Sequence, residues 1–271
     1  MYIETMHRVH YEVVSGAFTV IDIAEPVRLS VSREELIEVV NEKFMDRGDW
    51  CCLVREGLCI PGFLTFDDDA FSSPLSGSAG EKATPLTPDL IVASSLPLLE
   101  LVPLFKRHYF FFVLEQADIT HVVSFQDLDK LPMKLSIFAL FLELETRMIE
   151  LITQQPFEIE HYLRYLPPNR YAKAKDLCIK KYKEENPQRL LLCTTFSDKK
   201  EMLLRDPQLV TKLSFPSRSG CDSLFNHIER VRNQIAHSDS IMRELDSPER
   251  LDTFICEVRD LIQRISKDNQ A

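Results

Sequence analysis

The feature that most restricts the fold is a plan the chain follows twice, about sixty residues apart. In the first copy, Leu36, Ile37, Val39, Val40 and Phe44 fall at helical spacing, and Ser30 or Ser32 can cap that helix. Cys51-Cys52-Leu53-Val54 then reads as a short buried strand, Glu56-Gly57 as a turn and Ile60-Pro61-Gly62-Phe63-Leu64-Thr65 as a second strand, ahead of Phe66-Asp67-Asp68. The second copy opens at Thr87, with Leu90, Ile91 and Val92. Leu98 to Phe105 predicts a short helix, Tyr109 to Leu114 a buried strand and Ile119 to Ser124 another, followed by Phe125-Gln126-Asp127-Leu128. Between the copies, Phe71 to Gly80 has the composition of a loop. Ahead of both, residues 1–23 alternate loosely through Tyr11, Val13, Phe18, Val20, Ile21 and Ile23 and predict strands.

After residue 134 the period changes. Leu135, Ile137, Phe138, Leu140, Phe141, Leu144, Met148 and Ile152 mark a strong helix. Pro167-Pro168 breaks the chain, and Arg170 to Glu185 reads as a basic helix carrying Lys173, Lys175, Lys180, Lys181 and Lys183. Helical patterns follow over Leu190–Leu204, Leu209–Phe215, Cys221–His237 and Leu251–Ile265. No strand is needed here, so an all-α bundle is expected. The fold class is therefore α+β: N-terminal strands over 1–23, repeats over 24–70 and 84–133 joined by a loop over 71–83, and a helical domain over 134–271.

Charge divides at the same place. The formal net charge is −10, yet residues 1–133 hold 10 basic against 21 acidic side chains, and residues 134–271 hold 22 against 21. Residues 164–218 alone hold 13 basic and 6 acidic. An acidic front half on a locally basic back half suits a regulator joined to a module that handles polyanions. No apolar run reaches the length of a membrane span, and the N-terminus lacks the basic start and apolar core of a signal peptide. Seven cysteines without a CxxC spacing imply buried thiols in a reducing, cytoplasmic setting, with no disulfide framework and no metal site.

Chemistry concentrates in Glu229-Arg230-Val231-Arg232-Asn233-Gln234-Ile235-Ala236-His237-Ser238-Asp239. A guanidinium grips phosphate bidentately, and an imidazole moves protons near neutral pH. Residues four apart share a helix face, which aligns Asn233 with His237. Arg232 and His237 stand roughly 140° apart around a continuous helix, so they serve one phosphate only if the helix ends near His237 or a second copy contributes. Ser247-Pro248, as N-cap and first helical residue, predicts a new helix soon after.

Residues 24–133 resemble a tandem pair of CBS domains. The likeness is carried by Gly62-Phe63-Leu64-Thr65-Phe66-Asp67-Asp68 in one copy and Val122-Val123-Ser124-Phe125-Gln126-Asp127-Leu128 in the other; His121 stands where the second copy would have its Gly. The resemblance implies an adenine nucleotide as regulatory ligand, its ribose held by Thr65 with Asp68 and by Ser124 with Asp127. Residues 134–268 resemble the HEPN superfamily through Phe141 to Ile149, Thr195-Phe196-Ser197-Asp198 and Arg232-Asn233-Gln234-Ile235-Ala236-His237, which matches the family's Arg-x4-6-His motif. That resemblance implies a metal-independent endoribonuclease acting as a homodimer with a composite cleft, in a toxin, defence or housekeeping role. His237 would be acid and base, Arg232 would bind the scissile phosphate, and Asn233 would orient it. Lys173, Lys175, Lys180 and Lys181 would attract the RNA backbone, and no cofactor would be required. The alternative is a non-catalytic scaffold for nucleotide binding or dimerisation that recruits a partner.

Overall fold

The structure is a computed structural model describing residues 16–66, 76–155, 157–215 and 217–268. The chain divides into two compact units, one spanning Thr19–Lys130 and the other including Leu131–Ala271.

The first unit is built from two four-stranded sheets. One contains β2 (Ser30–Ser32), β3 (Cys51–Glu56), β4 (Cys59–Thr65) and β5 (Thr84–Pro85), in that order. The other runs β1 (Glu25–Pro26), β8 (Asp118–Ser124), β7 (Phe110–Glu115) and β6 (Ile91–Ala93). In each sheet a three-residue strand lies parallel to the hairpin that follows it. The fourth strand comes from elsewhere. β1 opens the first repeat yet pairs with β8 of the second, while β5, opening the second repeat, pairs with β4 of the first.

Alternation along β3 explains why its sequence reads as a continuous apolar run. Cys52 and Val54 face α1 (Ile37–Arg47) through Val40 and Phe44, while Cys51 and Leu53, with Phe63 of the neighbouring β4, face Phe112, Ile119 and Val122 of the opposite sheet. A strand buried on both faces has no polar side. Phe63 and Phe110 meet edge to face at 5.6 Å, and Phe63 and Phe112 at 5.0 Å, so aromatic rings fill the seam between the repeats. Helix α1 ends at Gly48 in the left-handed conformation, φ 67°, where a side chain would be strained.

Three expectations for this unit need correction. Val20–Asp22 is a turn of 3-10 helix, not a strand, because Thr19 and Asp22 cap it reciprocally; the expected strands before residue 16 lie outside the described residues. Ser30 and Ser32 do not cap α1 but lie in β2, extended beside β3. The N-terminus of α1 is satisfied by backbone instead: the Ile37 N–H donates to the Gly77 carbonyl at 3.1 Å. After the single turn of α2 (Ala79–Lys82), Leu98–Phe105 divides into α3 (Leu98–Leu101) and a 3-10 turn, Val102–Lys106, where Pro103 lacks the N–H an α-helix would use.

The second unit is helical throughout its described residues: α4 (Leu131–Thr153), α5 (Ile159–Leu163), α6 (Pro168–Tyr182), α7 (Pro187–Leu192), α8 (Phe196–Arg205), α9 (Pro207–Lys212), α10 (Arg218–Ala236) and α11 (Pro248–Asp268). Helix α4 is its axis and packs against α8, α10 and α11. Leu140, Leu144, Met148 and Ile152, at i, i+4, i+8 and i+12, are all fully buried. The single helix expected over Leu190–Leu204 is two, because Thr195 starts α8 afresh, accepting from the Asp198 N–H while Asp198 accepts from Thr195. No described helix is long and apolar enough to cross a membrane.

Candidate functional site

Helix α10 delivers the Arg232–His237 segment and ends at Ala236, just before His237. His237 is the C-cap at φ −94° and ψ 8°, its N–H donating to the Asn233 carbonyl at 3.0 Å. Ser238 then turns left-handed, φ 60°, and the Asp239 N–H closes onto the Gln234 carbonyl at 2.9 Å. Asn233 and His237 are exposed at this end, whereas Arg232 is half-buried.

Arg232 turns toward the core of the helical unit. Its guanidinium lies 6.0 Å from the Phe138 ring centroid and 5.9 Å from that of Phe196. Its nearest carboxylate is Glu145 on α4, with Nη2–Oε2 at 3.9 Å, the outer limit of an ion pair. Glu145 is engaged more closely by Lys199, whose Nζ stands 3.0 Å from Oε1 and also donates to the Thr194 carbonyl at 2.6 Å. Lys199 is only 1 % exposed. Glu145 therefore bridges a buried ammonium and a loosely held guanidinium. The Arg232 Nε is buried without a hydrogen-bond partner, an unmet donor beside the Phe138 and Phe196 rings. Among the described residues no hydrogen bond or ion pair links Arg232 to His237, as their angular separation on α10 requires.

Other ionisable groups collect one turn away. A depression of about 480 Å³ between α10 and α11 is lined by His227, Arg230, Glu257 and Asp260 over Leu224 and Leu261. His227 packs on the Phe254 ring at 4.8 Å, and burial, reinforced by the Arg230 charge, holds its imidazole below its ordinary pKa. His227 is half-buried, and its spacing from Phe225 and Ile228 gave no signal of that. Of the α6 lysines, Lys173 and Lys180 are exposed, Lys175 pairs with Glu185 at 2.9 Å, and Lys181 stands 5.1 Å from the Tyr182 ring centre.

In the first unit, Ser124 and Asp127 form a reciprocal cap on the 3-10 turn Phe125–Asp129. The Ser124 N–H and Oγ donate to Asp127 Oδ2 at 2.7 and 2.8 Å. Asp127 Oδ1 stands 2.9 Å from the Lys130 ammonium. Thr65 closes β4 and is half-buried, while Asp68 lies outside the described residues. Thr195-Phe196-Ser197-Asp198 repeats the same wording in the helical unit and is likewise a capping box. The Ser/Thr-x-x-Asp pattern thus secures helix starts at Thr19, Ser124 and Thr195.

The repeats also explain Gly62. A Cβ there would meet the Thr84 carbonyl oxygen of β5 at 2.6 Å, so the close approach of the exchanged strand demands glycine. Its counterpart His121, opposite Pro26 of β1, carries a side chain, with Nδ1 2.7 Å from Thr120 Oγ1. A small depression of about 170 Å³ opens between β1 and the turn into β3, lined by Val27, Arg28, Asp49, Trp50 and Val122. That is below the roughly 300–1,000 Å³ of drug-sized ligand sites and admits a base-sized ring more readily than a whole nucleotide. Asp49 Oδ2 is buried there without a partner.

No protein-family model matches the chain, and no curated protein matches it. Solved structures do. Its structural neighbours are CBS-domain proteins, over the N-terminal part of the chain. The CBS domain of a bacterial CNNM/CorC family Mg2+ transporter in complex with ATP is 18 % identical, with a TM-score of 0.36, covering 44 % of this chain and 90 % of that one. A signal-transduction protein with CBS domains from Burkholderia ambifaria is 22 % identical, TM-score 0.35, over 41 % and 90 %. The CBS domains of a transcriptional regulator from Streptococcus pneumoniae are 14 % identical, TM-score 0.35, over 41 % and 96 %.

Proposed function

We propose that Thr19–Lys130 is a CBS pair that senses an adenine nucleotide, and that it biases a metal-independent endoribonuclease of the HEPN type formed when the helical units of two chains meet. The observation that carries the nuclease reading is the state of Arg232: a half-buried guanidinium with an unmet Nε donor and its one carboxylate at 3.9 Å. Such a group has capacity left for an incoming phosphate. Residues 233–237 form the last turn of α10 and its C-cap, with His237 open to solvent.

The chemistry follows from those groups. An imidazole takes the proton from a ribose 2′-OH as that oxygen attacks the adjacent phosphorus. A second proton, from an imidazolium, goes to the departing 5′-oxygen, and the strand is left with a 2′,3′-cyclic phosphate. The guanidinium neutralises charge that grows on the phosphorane oxygens. Because Arg232 and His237 diverge within one chain, the pair that acts on one phosphate comes from two chains, with Asn233 orienting the phosphate at the junction. The exposed Lys173 and Lys180 add attraction to the RNA backbone that weakens with salt.

The test is incubation of the purified chain with single-stranded RNA in chelator, with and without adenine nucleotides. Cleavage to cyclic phosphate ends is expected, with a rate that the nucleotide changes. His237→Ala and Arg232→Ala should each lower it by about 10² or more. Intact RNA, or equal cleavage by His237→Ala, refutes the nuclease. A second reading, a scaffold that recruits a partner, draws on the Glu145 ion pair of Arg232 and the capping role of Asp127. It predicts a stable complex and no cleavage.

A further inference from the structure

Chain crossings between the units occur at Phe18–Thr19 and at Lys130–Leu131. One side chain fastens the first unit at both. The Lys130 ammonium donates to the Ile23 carbonyl at 2.6 Å and pairs with Glu25, which follow the first crossing. It also stands 2.9 Å from Asp127 Oδ1, three residues before the second crossing. Helix α4 begins at the next residue, Leu131. Burial lowers the Lys130 pKa, but the bonds and charges of Glu25 and Asp127 outweigh it, and the net shift is upward.

Asp127 belongs at once to this clasp and to the ribose site proposed above. A carboxylate offers about four lone-pair positions. Ser124 occupies two on Oδ2, and Lys130 takes one on Oδ1. A ribose diol needs two acceptor positions, so it and Lys130 compete for Oδ1. We infer that Lys130 is a positioning residue that reports occupancy of the Asp127 site to both chain crossings: ribose on Asp127 releases Lys130 from it and loosens the clasp between the Ile23–Glu25 segment and the Asp127–Lys130 turn. This deepens the nucleotide-sensing reading and rests on it.

Adenosine is the probe, because it carries the diol without phosphate and is indifferent to the lysine's charge. Binding is read by calorimetry on the full chain, and the clasp by amide hydrogen exchange over 19–26 and 127–136. In the wild type, adenosine should speed exchange in both segments. Lys130→Met removes the competitor, so adenosine should bind roughly three- to tenfold tighter. Exchange in both segments should then be fast without ligand and unaltered by it. Glu25→Gln leaves Asp127 as the one carboxylate on Lys130 and should bind adenosine more weakly, a change of opposite sign that general loosening of the fold would not produce. Unchanged affinity in both variants overturns the clasp while leaving the sensor intact. Absence of binding to the wild type removes the sensor and the clasp together.

Discussion

Lys199 offers the sharpest test of how the helical site is held. Replacing it with Met keeps most of the buried stem and deletes the ammonium, so packing changes little while Glu145 loses its closer partner and the Thr194 carbonyl loses a donor. Breaking a fully buried ion pair from one side costs about 3–5 kcal/mol, and breaking an exposed one about 0–1 kcal/mol. Glu145 lies between these limits. Its side chain is 21 % exposed, and Arg232 remains at 3.9 Å to close on it. A loss of about 2 kcal/mol follows, or roughly 1 M in the urea midpoint for a slope near 2 kcal/mol/M. Far-UV circular dichroism follows the transition, because the helical unit supplies most of the helix. Adding Glu145→Gln removes the stranded charge, so the double variant should lie above the sum of the single losses by about 1 kcal/mol. A neutral Lys199→Met, or strict additivity, would refute the bridging role of Glu145. The variant should also weaken phosphate capture, since Glu145 would then occupy the donors of Arg232.

Gly62→Ala should destabilise the first unit by about 1–3 kcal/mol, since its Cβ must displace the Thr84 carbonyl. The chain's one tryptophan, Trp50, lies in this unit, so its fluorescence during urea unfolding reads the effect without interference from the helices. His121→Ala at the matching position should show no such clash. For His227, the folded pKa lies below that of the unfolded chain, so the unfolded state takes up a proton first. Its contribution to stability is complete above the ordinary value near 6.5 and is lost as pH falls through the folded value. His227→Gln should therefore flatten the fall in the urea midpoint between about pH 7 and pH 5, and an unchanged slope counts against a neutral, buried imidazole.

The sequence was readable where burial wrote a period. The hairpins of β3–β4 and β7–β8 stood out as apolar runs bounded by turns, and the stripe of α4 stood out at helical spacing. Strands β1 and β5 left no such trace. Each is an exposed pair ending in proline, Glu25-Pro26 and Thr84-Pro85, held by backbone pairing that side-chain patterning does not record. Ser30 and Ser32 misled for a related reason: two serines around a single buried Val31 suit a cap as well as an edge strand. In the candidate site, the end of α10 at His237 was legible from Ser238 and Asp239. Lys199 was not, because a lysine in an amphipathic helix reads as a solvent-facing charge until the fold sets Glu145 above it.

The exchange of β1 and β5 between the repeats bears on how such a module can be divided. Neither repeat is a separable piece. A fragment stopping before Thr84 would leave β4 with an uncovered row of backbone donors and acceptors, and the remaining half would lack the partner of β8. Half-length fragments should therefore aggregate alone and recover solubility when co-expressed. The duplication is inherited and folded as one object, with its midpoint sewn through both halves.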